Sequence, residues 1–195
     1  MKKQYSHALW ALSCLFAGLM LIGAASDLPF HYWQQPAASK SNAYQQWSKL
    51  ERDLRPEACA QCHNDQFQAW KKSLHASAYS EGLIGQFPSL GGHRSGNNCL
   101  VCHAPLQEQS YQNNADLMAS LTLKIEQPKG VDNDANLDAP RLPLRHSGVN
   151  CATCHVRAYK RFGPPRAGSK KTGHIRTDVH GGFTATRAFE KSQFC

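Results

Sequence analysis

The chain has 195 residues and a formal charge of +8, from 22 Lys and Arg against 14 Asp and Glu. That length suits one domain with room for a targeting segment. The positive balance would suit an acidic partner or an anionic membrane surface, but no basic stripe with interleaved aromatics supports nucleic-acid binding.

The amino terminus reads as an export signal. Met1-Lys2-Lys3 is a short positive start, and an apolar run from Ala8 to Ala25 follows, interrupted by Ser13. Gly23-Ala24-Ala25 is a small-residue end suited to signal peptidase. About 18 apolar residues are also enough to span a bilayer, and Phe30, Tyr32 and Trp33 resemble an interfacial aromatic belt. Residues 1–25 are therefore expected to be a cleaved signal peptide or an uncleaved membrane anchor, with attachment through residues 8–25 in the second case. Cys14 reads as a small apolar residue of that leader, because the apolar run continues past it. Losing a leader that ends near residue 25 removes Lys2 and Lys3 and lowers the formal charge to +6.

Residues 26–55 read as a polar linker, with a short helix expected around Tyr44 to Leu54. Beyond it the chain is rich in Gln, Asn, Ser, Lys and Arg, so its aliphatic core is small. What organises this part is a unit that occurs three times. The copies are Cys59-Ala-Gln-Cys62-His63, Cys99-Leu-Val-Cys102-His103 and Cys151-Ala-Thr-Cys154-His155, and they use six of the eight cysteines. Cys-x-x-Cys-His is the attachment signal for c-type haem (heme c). Two thiols add across the porphyrin vinyl groups and the histidine ligates iron. On a helix the positions i, i+3 and i+4 share one face, so both sulfurs and the imidazole meet the same macrocycle. Three haems would supply the apolar surface that the side chains lack. Each also carries two propionates, which nearby Lys and Arg would offset. Covalent haem of this type is attached outside the bacterial cytoplasm, which agrees with an exported, periplasmic chain, soluble or anchored.

In order along the chain, Pro56 and Glu57 suit the first turn of the helix that carries Cys59 to His63. Asp65 to Ser80 reads as a helix, with Phe67, Trp70, Leu74 and Ala78 at helical spacing. On an unbroken helix His75 would lie about 18 Å from His63. Two ligands of one iron are only about 4 Å apart at metal–imidazole distances near 2 Å. As a ligand, His75 is therefore expected to serve a neighbouring haem. Residues 82–98 read as a breaker-rich loop holding His93, which could reach an iron. Asn114 could cap a helix to about Glu126, with Leu117, Met118, Leu121 and Ile125 on its apolar face. Met118 reads as a core residue rather than an axial thioether. The acidic stretch Asp132 to Asn136 lacks the glycine and closing Glu of a calcium loop and reads as a turn. His146, five residues before the third unit, and His180, in a His-Gly-Gly setting, are further axial candidates. Arg157, Lys160, Arg161, Arg166, Lys170 and Lys171 form either a basic docking loop or a propionate-neutralising belt. Cys195, at the end of the sequence, is expected to open a fourth unit of a longer chain.

Cys59-x-x-Cys62-His63 followed by Phe67, Trp70 and Ser73-Leu74-His75-Ala76 resembles the opening of the cytochrome c-554 type of multihaem cytochromes c, which carry four haems. Cys99-x-x-Cys102-His103-Ala104-Pro105 and Gly148-Val149-Asn150-Cys151-x-x-Cys154-His155 resemble its later units, and Ser192-Gln-Phe194-Cys195 the start of the next. The resemblance implies a mainly α domain over 56–195, with long irregular loops and a haem-packed core. It also implies electron carriage, often with bis-histidine iron, and includes members with an open iron position. The reading that follows is a periplasmic electron-transfer protein with at least three covalent haems and bis-His iron. It would work with redox partner proteins in a respiratory pathway, such as one of nitrogen-oxide metabolism. The alternative is a multihaem enzyme acting on a small nitrogen or sulfur compound at an open iron, though no residue singles out such an iron. A zinc-stabilised binding module would not need a histidine after each cysteine pair.

Overall fold

The computed structural model describes residues 47–126, 142–157, 160–177 and 180–191. The leader, Cys14, the acidic stretch at 132–136 and Cys195 lie outside the described residues. Among the described residues no helix is long and apolar enough to cross a membrane.

Short helices carry the first part of the chain. Helix α1 (Pro56–Ala60) starts on its proline with Glu57 in the first turn, where a fixed φ and a negative charge suit the helix start. Helix α2 (Asn64–Lys71) follows at once, with Asp65 at its beginning and Lys71 at its end. The helix expected as far as Ser80 stops here. Ser73 donates from both its amide (2.8 Å) and its hydroxyl (2.7 Å) to the carbonyl of Trp70, which pulls the last turn closed. The Trp70 indole donates to the carbonyl of Val149 at 2.8 Å, and Val149 N donates to His75 O at 3.0 Å. The chain at 72–80 is thus pinned to the segment before the third unit, and Leu74 is left exposed. Gly148 (φ +58) makes this approach possible, since a Cβ there would meet His75 O at 2.5 Å. Upstream, residues 47–54 form turns rather than the expected helix, with Trp47 and Leu54 buried.

Helix α3 (Glu81–Ile84) leads to α4 (His93–His103), so His93 opens a helix where a loop was expected. Gly92 turns the chain with φ +77, and the side-chain oxygen of Asn114 accepts from His93 N at 2.8 Å. That cap comes from helix α5 (Asn114–Glu126), which agrees with the expected span. Asn113, not Asn114, supplies the cap of α5 itself, accepting from Asp116 N at 2.9 Å. Asn114→Ala is expected to cost about 1 kcal/mol, read as a lower urea midpoint, because α4 loses its cap while α5 keeps its own.

Helix α6 (Cys151–His155) is capped by Asn150, whose side chain accepts from Thr153 N. It runs directly into a small sheet made of β1 (Val156–Arg157), β2 (Lys160–Gly163), β3 (Gly173–Ile175) and β4 (Phe183–Ala185). The strand order is β1-β2-β4-β3, with β2 parallel to β4 and the other pairs antiparallel.

The apolar core is divided. One cluster joins Trp47, Leu54, Leu106, Ala152 and Val156. A larger one joins Tyr79, Ile84, Phe87, Leu100, Tyr111, Leu117 and Leu121, with Cys99 at its edge. A third joins Phe162 and Ala188, with Cys154 and Phe189 beside them. Gln109, fully buried, ties the parts together. Its amide donates to Leu144 O and Gly148 O and accepts from Leu106 N. Arg145 is buried too. It makes two bonds to the Asp116 carboxylate (2.7 and 2.9 Å), donates to Gln109 O, and lies over the Tyr111 ring.

Candidate haem sites

Each unit presents its two cysteines and histidine on one helical turn. In α4 and α6 all three residues lie within the helix. In the first unit α1 ends at Ala60, but His63 N still donates to Cys59 O at 2.9 Å, so the turn is completed. The six described cysteines are free thiols, the state that thioether formation requires.

Two of the unit histidines are held in a defined tautomer. His103 Nδ1 lies 2.9 Å from Ala78 O, and His155 Nδ1 lies 2.8 Å from Phe162 O. A carbonyl can only accept, so Nδ1 carries the proton and Nε2 keeps its lone pair for a metal. Each carbonyl has a structural origin. Ala78 O is available because the chain leaves helical geometry after Lys71. Phe162 O is brought in by β2, which folds back on β1 straight after His155. Burial pushes the His155 imidazole below its ordinary range, and the Phe162 carbonyl only partly opposes this. The ring therefore stays neutral and able to ligate.

The remaining unit histidine, His63, lies beside His180. Its ring lies nearly parallel to that of His180, at 14°, with centroids 6.4 Å apart. An iron ligated by two imidazoles at about 2 Å each sets their ring centroids about 6 Å apart. The centroid separation is therefore the one that two imidazoles on a single iron would have. His180 Nδ1 lies 3.1 Å from the Glu51 carboxylate, which again assigns the proton to Nδ1. Burial is the main cause that lowers the His180 pKa, followed by nearby Arg161, with Glu51 opposing.

The first and third units are neighbours. Helices α1 and α6 touch, and the thiols of Cys59 and Cys151 are neighbours. Their proximity holds the Cys59 thiol below the usual range and, with burial, the Cys151 thiol above it. His63 lies close enough to His155 to disfavour its charge.

The remaining candidates are placed as follows. His75 is exposed, its carbonyl engaged by Val149. His93 is half-buried at the start of α4, with Nδ1 2.9 Å from Asn114. His146 is buried, with Nε2 3.2 Å from Ser120 Oγ and its ring against Tyr79. Met118 is half exposed rather than packed in the core. Glu51, Ala78 and Phe162 were not anticipated. The two carbonyls have no side-chain signature, and Glu51 lies 129 residues from the histidine it holds. No group of three or more His, Cys, Asp or Glu among the described residues is arranged around a common point to hold a metal ion. The imidazoles come instead with cysteine pairs.

Cysteine pairs and a metal-ready imidazole on one helical turn define a c-type cytochrome site. The family model described as cytochrome c554 and c-prime matches residues 58–121, which hold the first two units and most of α5. Over that third of its length the chain is similar to this family. The match supports a cytochrome c that binds c-type haem covalently and transfers electrons. No curated protein and no solved structure matches the chain.

Proposed function

We propose that the chain is an exported, periplasmic multihaem electron carrier with one haem on each of its three units. A fourth unit would begin at Cys195, and residues 1–25 would direct export or anchor the chain. The observation that carries this reading is the approach of the first and third units, seen in the Cys59–Cys151 contact and the nearness of His63 to His155. Cofactors attached there would be neighbours. Bound haem supplies one-electron exchange at its iron; the protein supplies attachment, ligands and charge.

His103 and His155 would ligate haem iron through Nε2, with Nδ1 tied to a backbone carbonyl, and His63 and His180 would together hold the first unit's haem. His75 and His93 are the candidates for the far sides of the others. His146, with Nε2 engaged by Ser120 in a cluster with Tyr79, is read as a structural histidine. Histidine on both sides of iron gives a lower potential than histidine with methionine, which suits a respiratory carrier, including one in nitrogen-oxide metabolism. Arg166, Lys170, Lys171 and Arg176 are exposed around β3 and would favour an acidic redox partner. Arg161 is not part of that surface, since its guanidinium covers the Trp47 ring at 4.3 Å.

Haem quantified per chain and an electron-spin-resonance spectrum of the holoprotein test the reading. Three or more haems, all low-spin, are expected. A high-spin haem that binds carbon monoxide would favour the enzyme with an open iron instead. A chain that carries no covalent haem after denaturation would remove the proposal altogether.

A further inference from the structure

His180 is the one non-glycine with positive φ among the described residues, at 64°. Gly181 (φ +60) and Gly182 (φ +96) follow it. A histidine in the left-handed region costs of order 1–3 kcal/mol and persists only where its surroundings impose it. Here a single oxygen imposes it. Glu51 Oε1 accepts from His180 N at 2.5 Å and lies 3.1 Å from His180 Nδ1. Bonds to a charged acceptor are about twice as strong as neutral ones.

Glu51 is itself held in place. Its other oxygen accepts from Ser48 N at 2.9 Å, and its amide donates to Ser48 Oγ at 3.2 Å. Its backbone carbonyl accepts from Arg161, whose guanidinium rests on Trp47. Burial pushes the Glu51 carboxyl up, but the Ser48 and His180 bonds outweigh it, so the group stays ionised. One oxygen is therefore occupied by Ser48, and the other faces both N–H groups of His180.

We propose that Glu51 is the positioning residue for His180 as a ligand of the first unit's haem, and that its charge lowers that haem's potential. The proposal rests on the bis-histidine reading of the His63–His180 pair. A carboxylate on the outer N–H of a ligating imidazole fixes its tautomer and orientation and raises its basicity. A more basic ligand favours ferric over ferrous iron, so the midpoint falls. The lever is hydrogen bonding beyond the ligand, one of the means by which proteins tune haem.

The test uses the holoprotein with a redox titration and electron-spin resonance. Glu51→Gln keeps an acceptor for the ring but removes the charge. One haem is expected to rise by about 59 mV, a tenfold shift in its ferrous-to-ferric ratio, with all iron still low-spin and the haem count unchanged. Glu51→Ala removes both bonds, and one haem is expected to gain a high-spin fraction that added imidazole reverses. His180→Ala is expected to make one haem fully high-spin. If it makes none, the pairing is wrong and the proposal falls with it. If His180→Ala gives a high-spin haem while Glu51→Gln leaves every midpoint in place, or moves all of them equally, the pairing stands and the role of Glu51 is refuted. Should Glu51→Ala fail to fold, the Glu51→Gln titration decides alone.

Discussion

Replacing Cys151 and Cys154 together by alanine is expected to remove one covalent haem and to loosen the sheet that follows. The second effect is the more informative. Cys154 packs with Phe162, Ala188 and Phe189, and the His155 ring lies against Phe189 at 4.9 Å. The β2 strand is tied to the same turn by the Phe162 carbonyl. On the other side Cys151 meets Cys59. The third attachment point is thus the joint between the helical part and the sheet, and the Phe162–Ala188 cluster is too small to hold the sheet unaided. Haem quantified per chain should fall by one, and limited proteolysis should cut within residues 156–191 far faster than in the parent. The matching pair Cys99→Ala and Cys102→Ala would remove a haem from α4, which contributes no residue to that cluster, and should leave that protection in place. Equal protease sensitivity in the two variants would count against the joint.

Acidifying from pH 7 to pH 4 is expected to cost the fold about 2–3 kcal/mol through His146. Its imidazole is 8% exposed, and its pKa is pushed down to about 4 by burial, with Lys124 and Arg145 adding to the effect. Nδ1 is buried and has no hydrogen-bond partner, so no acceptor meets the proton that the charged form would add there. The folded pKa lies below the ordinary value of about 6.5. Between those two values the unfolded chain binds more protons, so stability falls as pH falls through that window. At about 1.4 kcal/mol per unit the full shift would reach roughly 3 kcal/mol. Asp116 behaves differently. The Arg145 guanidinium holds its carboxyl below the usual range, so its contribution is intact above about pH 4 and is lost only at lower pH. Urea titrations at pH 7, 5 and 4 separate the two. His146→Gln should flatten the slope above pH 4 and leave the decline below it. A slope above pH 4 that survives the substitution would assign it to other groups.

Much of the site was legible because its spacing is local. Cys-x-x-Cys-His needs only one helical turn, and Asn114–Glu126 announces itself by Leu117 and Leu121, both buried. Periodicity misled where a partner outside the segment decided the outcome. Phe67, Trp70, Leu74 and Ala78 share a helical spacing, but Trp70 bonds to Val149 and the helix ends. Met118 and Ile125 sit on the periodic face of α5, yet both are exposed. Residues 82–98 looked like breakers, but a cap from Asn114 starts a helix among them. The strands run for two to four residues each, too short for alternation to show. Glu51 and His180 meet by tertiary folding alone, with no pattern that links them.

The bond between Trp70 and Val149 spans 79 residues. A ribosome delivers the amino end first, so Trp70 and the first unit are made well before the chain that fastens them. The same segment, through Gly148 and Leu144, engages Gln109 beyond the second unit. Until residues 144–149 pack against them, the segments that follow the first and second units stand unlatched. The clasp at Val149 can therefore close only late, when the chain immediately before the third unit has been made.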